Sequence, residues 1–358
     1  MNARERFLKI MQYQPVDQIP VIAIEPIEPS AIARWRKEGM PDDCTPHEYF
    51  KLDRLQWIPI DWSVHPPFEE IVISEDDEHI VKRDTAGSTV KYRKEDPTMY
   101  YGYIEHPVKT RRDWESYKQR FEADITKRLH SGWTLDSIRD LNKSENPVGF
   151  LFFPWLFRLG FYTMGMEKLL MTFFEDPDWM HDMFSFWSDF TMKLIEPVLK
   201  RVKIDYCLFA EDMAFKTSTH VSPRMYEEFW LPYQNKIVNK LKEHNVPVIC
   251  HWSAGNLNPI IDTLLNNGIN TIFPLENQAD NMDAYYIRNK YGKNLLLGGG
   301  IAKEAVMAGK REIDKEIDRL MPLIKEGGFL PALDDMVTPD ISFENYSYFI
   351  EKLKGIRL

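Results

Sequence analysis

Five short apolar runs in the second half of the chain are each followed at once by residues able to do chemistry or to let a ligand approach. Asp205 to Ala210 (DYCLFA) leads into Glu211-Asp212, and Val246 to Cys250 (VPVIC) leads into His251. Asn270 to Leu275 (NTIFPL) leads into Glu276, Asn294 to Leu297 (NLLL) into Gly298-Gly299-Gly300 with Lys303, and Phe329 to Leu333 into Asp334-Asp335. Carboxylates and an imidazole gathered at one rim can exchange protons with a substrate or hold a cation. The glycine run suits close backbone approach to a ligand, and equally a strained turn. Phe152, Phe153, Trp155, Phe157 and Trp252 lie at or near strand ends, where they could line a seat for an aromatic or apolar molecule. Lys216 and Lys303 are the cations available to a substrate or to a buried carboxylate.

Positioning such a rim requires parallel strands. Between the apolar runs lie helical stretches, one opened by Ser222-Pro223 and broken near Pro232, another with Ile313, Ile317, Leu320 and Ile324 at helical spacing. Strict alternation of this kind marks a parallel sheet. Upstream, Ile19 to Ile24, Leu55 to Ile60 and Val148 to Phe153 bring the expected strands to eight, giving an α/β fold, a single (β/α)8 TIM barrel over residues 1–358. Its chemistry belongs past the C-terminal strand ends. From Asp176-Pro177, a helix with Trp179, Met183, Phe186, Trp187, Phe190 and Leu194 on one face reads as core. Glu70 to Arg93 reads as antiparallel strands, so residues 70–105 are expected to form a β-hairpin insertion capping one barrel end.

With 358 residues, a formal net charge of -10 and a pI near 5.5, the chain is poorly suited to nucleic acid, which demands clustered Lys and Arg. A small-molecule substrate or a protein partner fits better, and a homodimer is compatible with the composition. No apolar run approaches the roughly 18 residues a membrane span needs, and MNARERFLKI has no signal-peptide core, so a cytoplasmic location is expected. Cys44, Cys207 and Cys250 are odd in number and far apart, which argues against a disulfide framework. Cys250 points to the opposite strand face from His251 and reads as a buried apolar residue. Neither GxxxxGK[ST] nor GxGxxG occurs, leaving nucleotide chemistry unsupported.

Arg4-Glu5-Arg6-Phe7-Leu8 followed by PVDQIPV resembles the start of uroporphyrinogen decarboxylase-like proteins. So do EDMAFKTSTHVSP from Glu211, HWSAGNLNPIIDTLLNNGINTIFPLE from His251, LLLGGGIAK from Leu295, and GGFLPALDDMVTPDIS with ENY after it. The resemblance covers the chain in order and implies the same barrel. Authentic porphyrinogen decarboxylases of that superfamily carry an arginine-rich RQAGRY-type segment after the first strand, whose cations hold substrate carboxylates. Here the segment is Glu25 to Ser30, EPIEPS, with no arginine.

The branch that resembles this chain more closely is the cobalamin-dependent methyltransferases, which bind zinc through a His-x-Cys pair, a further cysteine and at times an acidic residue. His251 and Glu276 match as metal ligands, with Glu211 or Asp334 as further oxygens, whereas the cysteines are replaced in His251-Trp252-Ser253 and Leu333-Asp334-Asp335. Such an N/O set would hold zinc less strongly than a thiolate site. The resemblance implies methyl transfer between a small methylated substrate, a methyl ether among the candidates, and a corrinoid carried by a partner protein. The lone Asp-x-His, Asp77-Glu78-His79, lacks the glycine of a corrinoid-binding motif. Catalysis is expected from His251, Glu276, Glu211, Asp212 and Asp334, and substrate contacts from Phe153, Trp155, Trp252, Lys216, Gly299 and Asp335. Decarboxylation or another lyase reaction on a small acid is the alternative, and ligand binding without turnover a third.

Overall fold

Strands buried on both faces read as unbroken apolar runs, and that is how the central sheet is built. The computed structural model describes residues 1–94, 96–129 and 132–358. In chain order its strands are β1 Gln56–Trp57, β2 Ile71–Glu75, β3 His79–Arg83, β4 Thr89–Arg93, β5 Asp96–Glu105 and β6 Val148–Phe152, followed by β7 Tyr206–Ala210, β8 Val248–Trp252, β9 Thr271–Leu275, β10 Leu296–Ile301 and β11 Phe329–Leu333. Seven form one sheet in the order β1-β6-β7-β8-β9-β10-β11, every neighbouring pair parallel. Every residue of β7, β9 and β11 is buried. Among the described residues no helix is long and apolar enough to cross a membrane.

The expected eighth strand, Ile19 to Ile24, is not a strand. Its backbone forms isolated parallel bridges instead of a ladder, Ile22 with Asp53 near β1 and, just beyond, Ile27 with Val337 past β11. Pro20 and Pro26 have no N–H to donate, so a ladder cannot run through them. The segment leans first one way and then the other: Asp53 N–H donates to the Val21 carbonyl at 2.9 Å, and Val337 N–H donates to that of Pro26 at 3.0 Å.

The lumen inside the sheet is filled. Phe7 and Met11, at the end of helix Ala3–Ile10, plug its foot, and with Leu208, Cys250, Phe273 and Leu330 they surround a void of only about 30 Å³. Arg4 anchors that helix to the foot of β7 through Asp205, 2.8 Å away, which also accepts a bond from Val148 N–H. Helix Pro177–Leu199 covers the outside with Trp179, Met183, Trp187, Phe190 and Leu194 buried, and only Phe186 of the expected stripe is half-buried. The break near Pro232 separates helices Pro223–Phe229 and Leu231–Glu243, the first capped by the Ser222 hydroxyl accepting from Met225 N–H.

The insertion is larger than a hairpin. Within residues 70–105 a four-stranded antiparallel sheet forms in the order β2-β3-β4-β5, while Glu95 lies outside the described residues. The strand expected at Asn294 to Leu297 begins two residues later and continues through the glycines to Ile301.

Candidate functional site

Strand alternation decides which side chains reach the mouth. On β8, Cys250 faces the lumen and Trp252, two residues on, is the last to share its face. The indole Nε1 of Trp252 donates to Glu25 Oε1 at 2.8 Å. Glu25 leaves the irregular segment to reach that bond. Burial pushes its carboxyl up to about 7; the Trp252 bond opposes this, the charges of Asp335 and Asp212 add to it, and Arg158 offsets it. Arg158, in the first turn of helix Leu156–Met164, bonds Asp212 Oδ2 at 2.7 Å and the Tyr162 hydroxyl at 3.1 Å. Its guanidinium lies over the rings of Phe153, at 5.0 Å, and Trp252, at 5.7 Å. Asp212 holds this position with a left-handed backbone, φ +56°. On the far side Lys303 pairs with Asp335.

One wall of the mouth is organised by Asp334. Its carboxylate accepts from Lys303 N–H at 2.9 Å and from both the backbone and side-chain N–H of Asn277, at 3.1 and 3.0 Å. Asn277 in turn donates to the Gly300 carbonyl. Burial raises the Asp334 carboxyl to about 6 against these bonds. Glu276 has a local duty, accepting Gly255 N–H at 2.7 Å. Gly255 turns at φ +87°, where an added Cβ would lie 2.7 Å from the Ala214 carbonyl carbon.

The structure brings Asp212, Trp252, Phe153, Asp334 and Asp335 to this region and moves other expected residues away. His251 is the chief correction. β8 runs one residue past it, so its ring faces the helices, edge-on to Tyr226 at 6.2 Å, fully buried and, among the described residues, with no partner for either nitrogen. Burial depresses its pKa to about 3. Glu211, likewise on the helix side, accepts from Phe157 N–H at 2.6 Å and Trp230 Nε1 at 2.7 Å; burial outweighs both bonds and pushes it up to about 8. Trp155 is also withdrawn from the mouth, wholly buried against Phe152 and Phe209, and Phe157 is buried with it. Lys216 is exposed, with no side-chain bond to the cluster.

Gly299 belongs to β10 rather than to a loop. Its φ is +88° at a register shift against β9, and a Cβ would sit 3.0 Å from Leu275 N. Among the described residues no three His, Cys, Asp or Glu side chains converge on one position; His251 lies edge-on to Tyr226, and Glu276 accepts Gly255 N–H.

Sequence reasoning passed over Glu25, Arg158 and Asn277. In the sequence Glu25 counts only as one of two glutamates that would repel a polycarboxylate where the decarboxylases carry arginine. Arg158 carried a usable signal, a lone cation one helical step beyond the β6 end.

A parallel α/β sheet with titratable groups collected past its C-terminal strand ends defines a barrel-type enzyme architecture. The chain belongs to the uroporphyrinogen decarboxylase (URO-D) family, whose pattern matches residues 67–356. It is 21% identical to a uroporphyrinogen decarboxylase of Hydrogenovibrio crunogenus over 97% of this chain and 95% of that protein. It is 24% identical to the chloroplastic uroporphyrinogen decarboxylase of Nicotiana tabacum, where the match spans 61% of this chain and only 55% of the relative's length. A methyltransferase from Methanosarcina mazei shares the fold, with a TM-score of 0.63 and 16% identity over 99% of this chain and 98% of that one.

Proposed function

We propose that the chain is a methyltransferase that moves a methyl group between a small methylated substrate and a corrinoid on a separate partner protein, working from a (β/α)8 barrel in which residues 19–28 stand in for the eighth strand. The observation that carries this reading is Glu25. A half-buried carboxyl, flanked by Asp212 and Asp335, stands in the segment where the porphyrinogen decarboxylases resembled in sequence present arginines. Arg158, the cation that acts on Glu25, is already paired with Asp212. Such a mouth repels a polycarboxylate and favours a substrate whose reacting end is neutral.

When a methyl–oxygen bond breaks, the electron pair stays on oxygen, which needs a proton, and the methyl carbon bonds to the accepting nucleophile. A reduced corrinoid supplies that nucleophile. Glu25, its carboxyl raised to about 7 by burial, is the group able to deliver the proton, with Trp252 fixing its orientation. This chain's single Asp-x-His supports a partner-borne corrinoid, since His79 opens β3 and lies 3.5 Å from Asp76 in the hairpin turn.

The test supplies purified chain with methyl ethers and methylamines, with and without a reduced corrinoid protein, and follows methylation of the corrinoid by its absorbance. Methylation only when the corrinoid protein is present is expected, and Glu25→Gln should lower kcat about a hundredfold or more. Carbon dioxide release from a small acid without added corrinoid would instead establish the carboxy-lyase alternative.

A further inference from the structure

The wall of the sheet is not sealed where the irregular segment passes β1. Above the Ile22–Asp53 bridge the segment swings toward Val337, and a cleft of about 420 Å³ opens between it and β1. Ile24, Leu55 and Trp57 give it apolar sides, and Ile24 and Leu55 also border the small lumen void, so the cleft leads inward. Glu25 lines it at the end nearest the mouth, and His47 and Arg54 line it elsewhere. Among the described residues Arg54 forms no ion pair, and Glu48, the carboxylate near it, is already held by the Thr45 N–H and hydroxyl at 2.8 Å each. His47 is half-buried beside Arg54, and burial together with that neighbour disfavours its cationic form. It therefore stands as a neutral donor next to a fixed cation.

We infer that this cleft is the seat of a small aromatic carboxylate, its anionic end on Arg54 and His47, its ring along Trp57, Leu55 and Ile24, and its far end directed to Glu25. An unpaired guanidinium beside the apolar side chains of Ile24, Leu55 and Trp57 suits a single anionic group, because the fork can hold a carboxylate by two charge-assisted hydrogen bonds. The pocket size lies in the range of small-molecule sites. The assignment deepens the methyl-transfer reading by naming the substrate class, and rests on it only for what happens at the far end.

Calorimetric titration with benzoate and para-methoxybenzoate, against anisole and benzylamine as neutral and cationic controls, tests the seat without turnover. Both carboxylates should bind and both controls should fail. Arg54→Gln should weaken binding about tenfold or more, and Trp57→Leu should weaken it as well, while Arg311→Gln, an exposed arginine elsewhere, should leave it unchanged. Because Arg54 is exposed and unpaired, Arg54→Gln should unfold at the wild-type urea concentration, which separates lost binding from lost structure. Equal binding by wild type and Arg54→Gln, or no binding of either carboxylate, overturns the seat. Carboxylate binding that depends on Arg54, with no methylation of a reduced corrinoid protein from para-methoxybenzoate or from any of the methyl ethers and methylamines, upholds the seat and removes the methyl-transfer reading alone.

Discussion

His251 carries its ring into the layer between sheet and helices, fully buried and edge-on to Tyr226. The depressed pKa adds a pH dependence with a definite sign. In the unfolded chain the imidazole takes a proton as pH falls below its ordinary value of 6.5, while in the folded chain it stays neutral until about 3. Stability from this group is therefore complete above that ordinary value and is lost as pH falls through the interval. His251→Leu removes the titrating group, so its stability relative to wild type should be about 2 kcal/mol higher near pH 5 than near pH 8. Urea midpoints at the two pH values measure this, and methyl-transfer turnover should persist. A stable but inactive His251→Leu would return the histidine to the chemistry.

At the scale of elements, the runs that became β7, β9 and β11 were legible because burial on both faces leaves no polar residue to blur them. The misplacement of His251 has the size of one residue. Ending β8 at Cys250 put the histidine in a loop at the rim, whereas continuing the strand to Trp252 hands the rim to the indole and turns the imidazole outward. The first expected strand failed for a readable reason, the prolines at 20 and 26, which apolarity alone masks. Glu25 was not legible as a site residue, since its role depends on Trp252, Asp212 and Asp335 arriving from three distant elements. The glycines of β10 were ambiguous in sequence and are explained by geometry. Gly298 faces the Phe273 ring, which an added Cβ would approach to 2.6 Å, and Gly299 adopts φ +88° against Leu275. Gly299→Ala should cost roughly 1–3 kcal/mol, visible as a lowered Tm. An unchanged Tm would mean that β10 can relax out of its register shift.

Across the whole molecule, the buried carboxyls set a common trend with pH. Glu211, Glu25 and Asp334 are raised to about 8, 7 and 6, in each case chiefly by burial. A raised carboxyl holds its proton in the folded chain after the unfolded chain has released it, so folding is favoured at low pH and loses that advantage as pH rises through the folded value. Each unit of separation is worth about 1.4 kcal/mol for a fully buried group, and less for Glu25, which is partly exposed. His251 works in the opposite sense, but its contribution is complete by its unfolded value of 6.5 and cannot offset losses above it. The folded chain should therefore become less stable by a few kcal/mol between about pH 6 and pH 9, Glu211 supplying most of the decline at the alkaline end. Glu211→Gln keeps an oxygen for one of the two donors, Phe157 N–H or Trp230 Nε1, and removes the titrating group. It should be less stable than wild type near pH 6, where one donor loses its partner, and show a shallower decline toward pH 9. Urea unfolding at half-unit pH steps measures both slopes, and a wild-type stability that stays level from pH 6 to pH 9 would refute the burial-driven shifts on which the proton-donor role of Glu25 also draws.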